Sequence, residues 1–143
     1  MKTFFIFLIS LLILPVMSAC GQNSPGNQNQ QETAVASSKV DVYYFHFTRR
    51  CVSCVNVQNA TGKVLKDHYA RELSEGTIVF HEINLSEPES REIAQMLDVG
   101  GQGLLIVNGD KKFDLTMQGF MHAGRNYERF EKEMVEAISR AKN

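Results

Sequence analysis

Two cysteines separated by two residues follow closely after an apolar stretch, and this arrangement constrains the fold more than any other feature of the sequence. The stretch runs from Val40 to Phe47 and is rich in β-branched and aromatic residues, which is typical of a buried central strand. A helix that starts at Cys51 carries this thiol at its N-terminus and Cys54 one turn deeper. Unpaired N–H groups and the helix dipole favour the thiolate there. The sequence therefore predicts a redox-active cysteine pair at a strand-to-helix junction.

The beginning of the chain indicates export. A positively charged start is followed by an apolar run over residues 4–14, which a single serine interrupts. Eleven helical residues reach only about half of a ~30 Å hydrocarbon core, as in a signal peptide and unlike a membrane span. Two small residues then precede Cys20, which resembles a bacterial lipoprotein signal whose cysteine is acylated. We expect residues 1–19 to be that signal and Cys20 to carry a lipid; the alternative is an ordinary cleavage site before a cysteine.

Composition divides the rest of the chain into a linker and one domain. Residues 20–38 begin with Cys20 and continue almost entirely with Gln, Asn, Ser, Gly, Ala and Thr. Such a segment buries too little apolar surface to offset its ordering entropy, so we expect a flexible tether. Residues 39–143 then form one small domain. A formal net charge of −1 and the lack of a Lys/Arg-rich run argue against nucleic acid as a partner.

Helical and strand patterns alternate through the first half of this domain. Apolar residues recur at helical spacing from Cys51 to about Leu73, and Gly76 is expected to end that helix. The weaker helix formers at residues 60–62 predict a kink in its middle. A second strand is expected over residues 77–85, where β-branched and aromatic residues return.

Two further helices are predicted from their first residues. Ser86 followed by Glu89 is a capping-box pattern, and Asn126 is a common helix-capping residue. The helix after Asn126 has an apolar face at offsets of 0, 3, 7, 11 and 14 residues. This face consists of Tyr127, Phe130, Met134, Ile138 and Ala141.

A β-hairpin is predicted between these two helices. Residues 104–107 are short and wholly apolar, as expected for an interior strand, and Asn108-Gly109 is a strong hairpin turn signal. Residues 111–117 are expected to return as an edge strand, with two lysines guarding the edge.

This order of elements, with the Cys-x-x-Cys motif at the first strand-to-helix junction, resembles the thioredoxin fold over residues 39–143. The resemblance implies an α/β domain with a mixed central sheet of about four strands flanked by helices. The segments YYFHFTRRCVSC (residues 43–54) and GQGLLIV (residues 101–107) are most similar to small exported bacterial proteins labelled a nitrophenyl-compound nitroreductase subunit of the ArsF family. The chain has neither a dinucleotide-binding glycine pattern nor a phosphate loop, so we expect no cofactor.

The resemblance also identifies positions where this chain departs from thioredoxins. Their cis-proline, which faces the dithiol, corresponds to Gln102, and their buried acid corresponds to Phe45. Gln102 is therefore expected at the substrate approach. His46 is a candidate proton relay, and the alternative is a buried histidine with satisfied hydrogen bonds.

Arg49 and Arg50 directly precede the first cysteine of the motif. As cations beside Cys51 they are expected to lower its pKa and to attract anionic substrates. The alternative is a solvated turn that carries ordinary surface charge.

Metal binding is the main competing use of the motif. One Cys-x-x-Cys supplies two zinc ligands where four are usual, and the four histidines show no ligand spacing, so we expect no metal site. A merely structural disulfide is a further alternative. Met117, Met121 and His122 fit either a soft copper or arsenite patch or a methionine-filled core.

The sequence thus predicts a membrane-tethered thiol-disulfide oxidoreductase in the bacterial cell envelope, on the extracytoplasmic side, which is periplasmic where two membranes are present. Cys51 would exchange with a protein partner, such as one dedicated reductase subunit, and Cys54 would resolve the mixed disulfide. The alternatives are a non-catalytic accessory subunit of a reductase complex and a soft-metal or arsenite-binding protein.

Overall fold

The computed structural model describes residues 39–143. The predicted signal peptide, the acylation site at Cys20 and the linker up to residue 38 lie outside the described residues. Strands and helices follow one another in this order: β1 (Val40–His46), α1 (Val52–Glu75), β2 (Ile78–Asn84), α2 (Ser90–Met96), β3 (Gly103–Asn108), β4 (Lys111–Asp114), α3 (Thr116–His122) and α4 (Tyr127–Lys142). Within residues 39–143, no helix combines the length and apolar character needed to cross a bilayer.

The four strands form one mixed sheet in the order β2-β1-β3-β4. β1 pairs in parallel with β2 and antiparallel with β3, while β4 is antiparallel to β3. Val42, for example, lies opposite Phe80 on one side and Ile106 on the other. The prediction of an α/β domain with about four strands and flanking helices is therefore confirmed, and the predicted position of β1 inside the sheet is confirmed with it.

Side-chain alternation along β1 builds a core on each face of the sheet. Val42 and Tyr44 point to the larger core, which α1 and α4 also fill, and Phe45 points to a smaller one beside α2. The predicted apolar face of α4 is confirmed, since four of its five members are fully buried and Tyr127 is half-buried. Asn126 caps α4 as predicted, because its side chain accepts a hydrogen bond from the N–H of Arg129.

Two predicted glycine positions are confirmed. Gly76 ends α1 in the left-handed conformation, with φ of 71°, and its N–H bonds to the carbonyls of the last turn. Gly109 is the first residue of the two-residue loop between Asn108 and Lys111, with φ of 57°. Both conformations are accessible to glycine at little cost, which explains why these residues stand at the chain reversals.

The predicted kink at residues 60–62 is wrong. The backbone leaves helical geometry at Tyr69 instead, with φ of −135° and ψ of 27°. The ring of Tyr69 is buried, and its hydroxyl donates a hydrogen bond to the carbonyl of Val135 in α4. The position of the irregularity is therefore determined by the packing of Tyr69 against α4 and not by the intrinsic helix propensity of residues 60–62.

The predicted capping box is also wrong. α2 begins at Ser90, and its capping residue, Glu89, makes no side-chain cap hydrogen bond. The hydroxyl of Ser86 instead accepts the N–H of Thr48, in the loop that leads from β1 to the cysteines. Ser86 thus has a tertiary partner that the local pattern does not reveal.

The predicted edge strand over residues 111–117 is too long. β4 ends at Asp114, whose carboxylate accepts the N–H of Thr116 and turns the chain into α3, a helix that the sequence analysis missed. α3 lies close against α1 at Gly119, where a Cβ atom would meet Val57 at 3.2 Å. A glycine in the middle of a seven-residue helix weakens the local signal but permits this contact.

Candidate redox site at the start of helix α1

Cys51 caps the N-terminus of α1. Its backbone is extended, and its sulfur accepts a hydrogen bond from the N–H of Cys54, with an N···S distance of 3.4 Å. The Cys51 side chain is exposed, whereas Cys54 is fully buried, and both are free thiols. The structure thus places one accessible and one shielded thiol a turn apart, as the sequence predicts.

The two thiols differ in acidity because their surroundings differ. Hydrogen bonds from the Cys54 thiol and then from the Cys54 N–H lower the pKa of Cys51, since both stabilise a negative sulfur. Burial raises the pKa of Cys54, and its hydrogen bond to Cys51 raises it further. The exposed sulfur therefore ionises more readily, and the buried sulfur holds its proton more tightly.

Gln102 lies beside the buried thiol. Its side-chain oxygen accepts a hydrogen bond from the sulfur of Cys54 at 3.2 Å, across 48 positions of sequence. The structure thus brings Gln102 to the cysteine pair, but to Cys54 and not to the exposed Cys51. The next residue, Gly103, is packed so closely that a Cβ atom would come within 2.9 Å of the Thr116 hydroxyl, so the loop before β3 is tightly held.

Tyr44 is a member of the site that the sequence analysis missed. Its hydroxyl donates a 2.7 Å hydrogen bond to the carbonyl of Cys54, beneath the first turn of α1. Burial raises the pKa of Tyr44 to about 12, so the hydroxyl remains a donor at neutral pH. The alternating pattern of β1 was the available signal, because it places Tyr44 on the face that α1 covers.

Arg50 is engaged away from the thiols. One of its guanidinium nitrogens lies 3.0 Å from Nε2 of His46, and another donates to the side-chain oxygen of Gln58. The amide of Gln58 donates in turn to the carboxylate of Glu82. A polar network therefore links the β1–α1 loop to β2, and Arg50 is its central donor.

His46 is buried and has a partner at each ring nitrogen. Because a guanidinium only donates, Nε2 accepts from Arg50, and Nδ1 carries the proton that it donates to the Phe47 carbonyl at 3.1 Å. Neither nitrogen is hydrogen-bonded to a cysteine. This geometry corresponds to the buried, satisfied histidine and gives no support to the proton relay.

Arg49 is exposed, and its side chain forms no hydrogen bond or ion pair within the described part of the chain. The largest causes of the lowered Cys51 pKa come from Cys54, not from Arg49 or Arg50. The expected effect of the arginine pair on Cys51 therefore has no geometric support, although Arg49 remains available to a negatively charged partner.

We expect Arg50→Ala to weaken the fold without changing the chemistry of Cys51. The substitution leaves His46 and Gln58 without their donor, which should cost about 1–3 kcal/mol of unfolding free energy. The measurements are denaturant unfolding and the pH profile of iodoacetamide labelling at Cys51, with the exposed Arg49→Ala as matched control. A labelling midpoint that rises by a full pH unit in Arg50→Ala alone would restore the electrostatic role.

The methionines of α3 do not fill the core. Met117 and Met121 are 67% and 54% exposed, so the core-filling interpretation is wrong. His122 is half-buried at the end of the same helix. Among residues 39–143, no three His, Cys, Asp or Glu side chains cluster as metal ligands would.

Comparison of the chain with protein-family models, with curated proteins and with solved structures finds no match. What the chain does must therefore be inferred from its own residues, above all from the pair of dissimilar thiols at the start of α1.

Proposed function

We propose that residues 39–143 form a thioredoxin-like domain that exchanges thiols and disulfides with a protein partner through Cys51 and Cys54. One observation carries the proposal: an exposed thiol with a lowered pKa caps α1, and a buried thiol with a raised pKa lies one turn beyond it. A structural disulfide needs no such asymmetry, whereas an exchange reaction needs one accessible nucleophile and one shielded resolving thiol.

In one direction, the Cys51 thiolate attacks a sulfur of the partner's disulfide. A bond forms between the two sulfurs, and the partner's other sulfur leaves as a thiolate. Cys54 then loses its proton and attacks the sulfur of Cys51, which releases the partner's second sulfur. The cysteine pair ends as a disulfide and the partner as a dithiol. The reverse direction uses the same atoms.

The sequence supports the remaining parts of the proposal. The lipoprotein-like signal over residues 1–19 and the polar segment over residues 20–38 favour a domain tethered through lipid on Cys20, in the extracytoplasmic cell envelope. The similarity of residues 43–54 to ArsF-type subunits favours one dedicated partner, such as a reductase subunit. The thioredoxin-like assignment draws on the order β1-α1-β2, the parallel pairing of β1 with β2 and the motif between them.

A covalent trap tests the proposal. Cys54→Ala removes the resolving thiol, so a mixed disulfide between Cys51 and the partner should accumulate in cells. We expect a reductant-sensitive adduct on non-reducing gels, whose second component mass spectrometry identifies. Cys51→Ala is the matched control and should give no adduct, because residues 39–143 then retain only the buried thiol and the sulfur of Cys20 is expected to carry lipid.

Other results would favour the alternatives. If Cys54→Ala yields no adduct above the level of Cys51→Ala, exchange with a protein is contradicted and a non-catalytic accessory subunit is favoured. Cu(I) or arsenite that the reduced wild type retains, and that Cys51→Ala loses, would favour a soft-metal binder.

A further inference from the structure

We propose that Gln102 holds Cys54 as a thiol and thereby stabilises the reduced cysteine pair, so that the domain accepts electrons from the thiols of its partner. This inference rests on the proposed exchange function and adds to it the direction of electron flow. The partner is then a protein that presents two reduced cysteines, and the domain oxidises them.

The hydrogen bond between Cys54 and Gln102 exists in one redox state only. The amide oxygen of Gln102 accepts and does not donate, so its 3.2 Å contact with the sulfur of Cys54 requires a proton on that sulfur. A sulfur within a disulfide carries no proton. Oxidation of the pair therefore removes this hydrogen bond, and the free energy of the bond favours the reduced form.

The surroundings of Cys54 strengthen this bias. Cys54 is fully buried, and the single proton of its thiol has two acceptors among residues 39–143, the side-chain oxygen of Gln102 and the sulfur of Cys51, neither of which is a carboxylate. Among residues 39–143, no carboxylate or imidazole is hydrogen-bonded to the Cys54 thiol to remove its proton, which disfavours the attack of Cys54 on a mixed disulfide. The opposite direction requires Cys54 only to leave and to become protonated.

The electron-accepting reaction balances as follows. A partner thiolate attacks the sulfur of Cys51 in the oxidised pair, the Cys51–Cys54 bond breaks, and Cys54 leaves, takes up a proton and donates a hydrogen bond to Gln102. A second partner thiolate attacks the partner sulfur that is bound to Cys51, and Cys51 leaves as a thiolate. Two partner thiols have become one disulfide, two electrons have reached the pair, one proton rests on Cys54 and one enters the solvent. Another disulfide compound then re-oxidises the pair by the same exchange.

The lowered pKa of Cys51 suits the second step of this sequence. A thiol of low pKa leaves faster in exchange, and stabilisation of the reduced form makes a cysteine pair a stronger oxidant. Both features favour oxidation of the partner by the pair, as the contact between Cys54 and Gln102 also does. It is, however, the geometry of the contact between Cys54 and Gln102, and not the pKa of Cys51, that identifies Gln102 as the residue to change.

The test is the redox equilibrium of Gln102→Leu. The full chain, carrying Cys20→Ser so that only two thiols titrate, is equilibrated with mixtures of reduced and oxidised glutathione, and the reduced fraction is counted by alkylation. Loss of one hydrogen bond should shift the equilibrium constant about three- to tenfold towards the disulfide, where tenfold corresponds to about 30 mV. Gln102→Met, which keeps the side-chain length, guards against misfolding of the leucine variant and should shift in the same direction.

Two comparisons separate this role from a structural one. Gln118→Leu changes a half-buried glutamine of α3 that forms no hydrogen bond with Cys51 or Cys54, and it should leave the equilibrium at the wild-type value. Thermal unfolding of both redox forms should show that Gln102→Leu destabilises the reduced form more than the oxidised form. Equal destabilisation with an unchanged equilibrium constant would overturn the proposal, because a structural role cancels between the two states.

The outcomes also distinguish this inference from the proposed function. A trapped adduct in Cys54→Ala together with an unchanged equilibrium in Gln102→Leu rejects the role of Gln102 and leaves the exchange function intact. A shifted equilibrium without any adduct supports the role of Gln102 on the pair and rejects the protein partner. In Gln102→Glu the carboxylate still accepts, so a shift towards the disulfide as large as that of leucine would also count against the hydrogen bond.

Discussion

Replacement of Phe130 by alanine is expected to lower the free energy of unfolding by about 3–5 kcal/mol. Phe130 is fully buried in the larger core, where α4 packs against α1 and against the central strands β1 and β3. Truncation removes the transfer free energy of the ring and leaves a cavity, which a core built on a sheet fills only in part. A loss of this size is a large part of the 5–15 kcal/mol typical of a domain.

Denaturant unfolding of the reduced chain measures this effect, and Phe47→Ala is the matched control. Phe47 is 40% exposed in the loop after β1, so the same truncation there should cost no more than about 1 kcal/mol. Similar losses at the two positions would show that α4 does not close the core in the way described. The slope of the transition should stay constant between variants, since both bury similar total surface.

Cys51 should react with iodoacetamide at least about 100-fold faster than Cys54 at neutral pH. Cys51 is exposed and its pKa is lowered, whereas Cys54 is fully buried and its pKa is raised. The labelling rate of Cys51 follows its thiolate fraction, so the rate should reach its half-maximum below the pH of about 8.5 typical of a free cysteine. Mass spectrometry of a chain carrying Cys20→Ser resolves the two sites.

Cys54→Ala provides a sharper form of this experiment. The largest cause of the lowered Cys51 pKa is the hydrogen bond from the Cys54 thiol, so its removal should move the labelling midpoint upwards, towards that of a free cysteine. In unfolded protein, the two sites of the parent chain should react at similar rates. Equal rates in the folded chain, or a midpoint that Cys54→Ala leaves unchanged, would contradict the hydrogen-bonded pair.

Patterns that repeat along the chain predicted most of the fold. The apolar face from Phe130 to Ala141, the buried central strand β1 and the turn at Gly109 each depend on residues close in sequence, and the structure contains all three. Two of the wrong predictions concern residues with distant partners. Ser86 bonds to the β1–α1 loop and Tyr69 bonds to α4, and neither contact has a local signature.

The chemistry of the site could be predicted from the sequence, but the hydrogen-bond partners of its side chains could be predicted only in part. The spacing of Cys51 and Cys54 after a strand was enough to predict one exposed and one shielded thiol. The expected effect of Arg50 on the pKa of Cys51 has no geometric support. Proximity to a thiol in the sequence does not show where a long side chain is directed, and here it is directed to His46. Gln102 was expected at the substrate approach, which stays a prediction; its hydrogen bond to Cys54, across 48 positions, had no local signal in the sequence.

The sulfur that would perform the proposed exchange is also the group that caps α1, and this dual use ties the chemistry to the stability of the helix. A thiolate accepts the N–H of Cys54 more strongly than a sulfur held in a disulfide does. The redox state of the cysteine pair and the fraying of the first turn of α1 are therefore thermodynamically linked, so that each shifts the equilibrium of the other. A docked partner that tightens this turn more in the reduced form than in the oxidised form would raise the electron affinity of the pair by the difference between the two free energies, and one that loosens it more in the reduced form would lower that affinity.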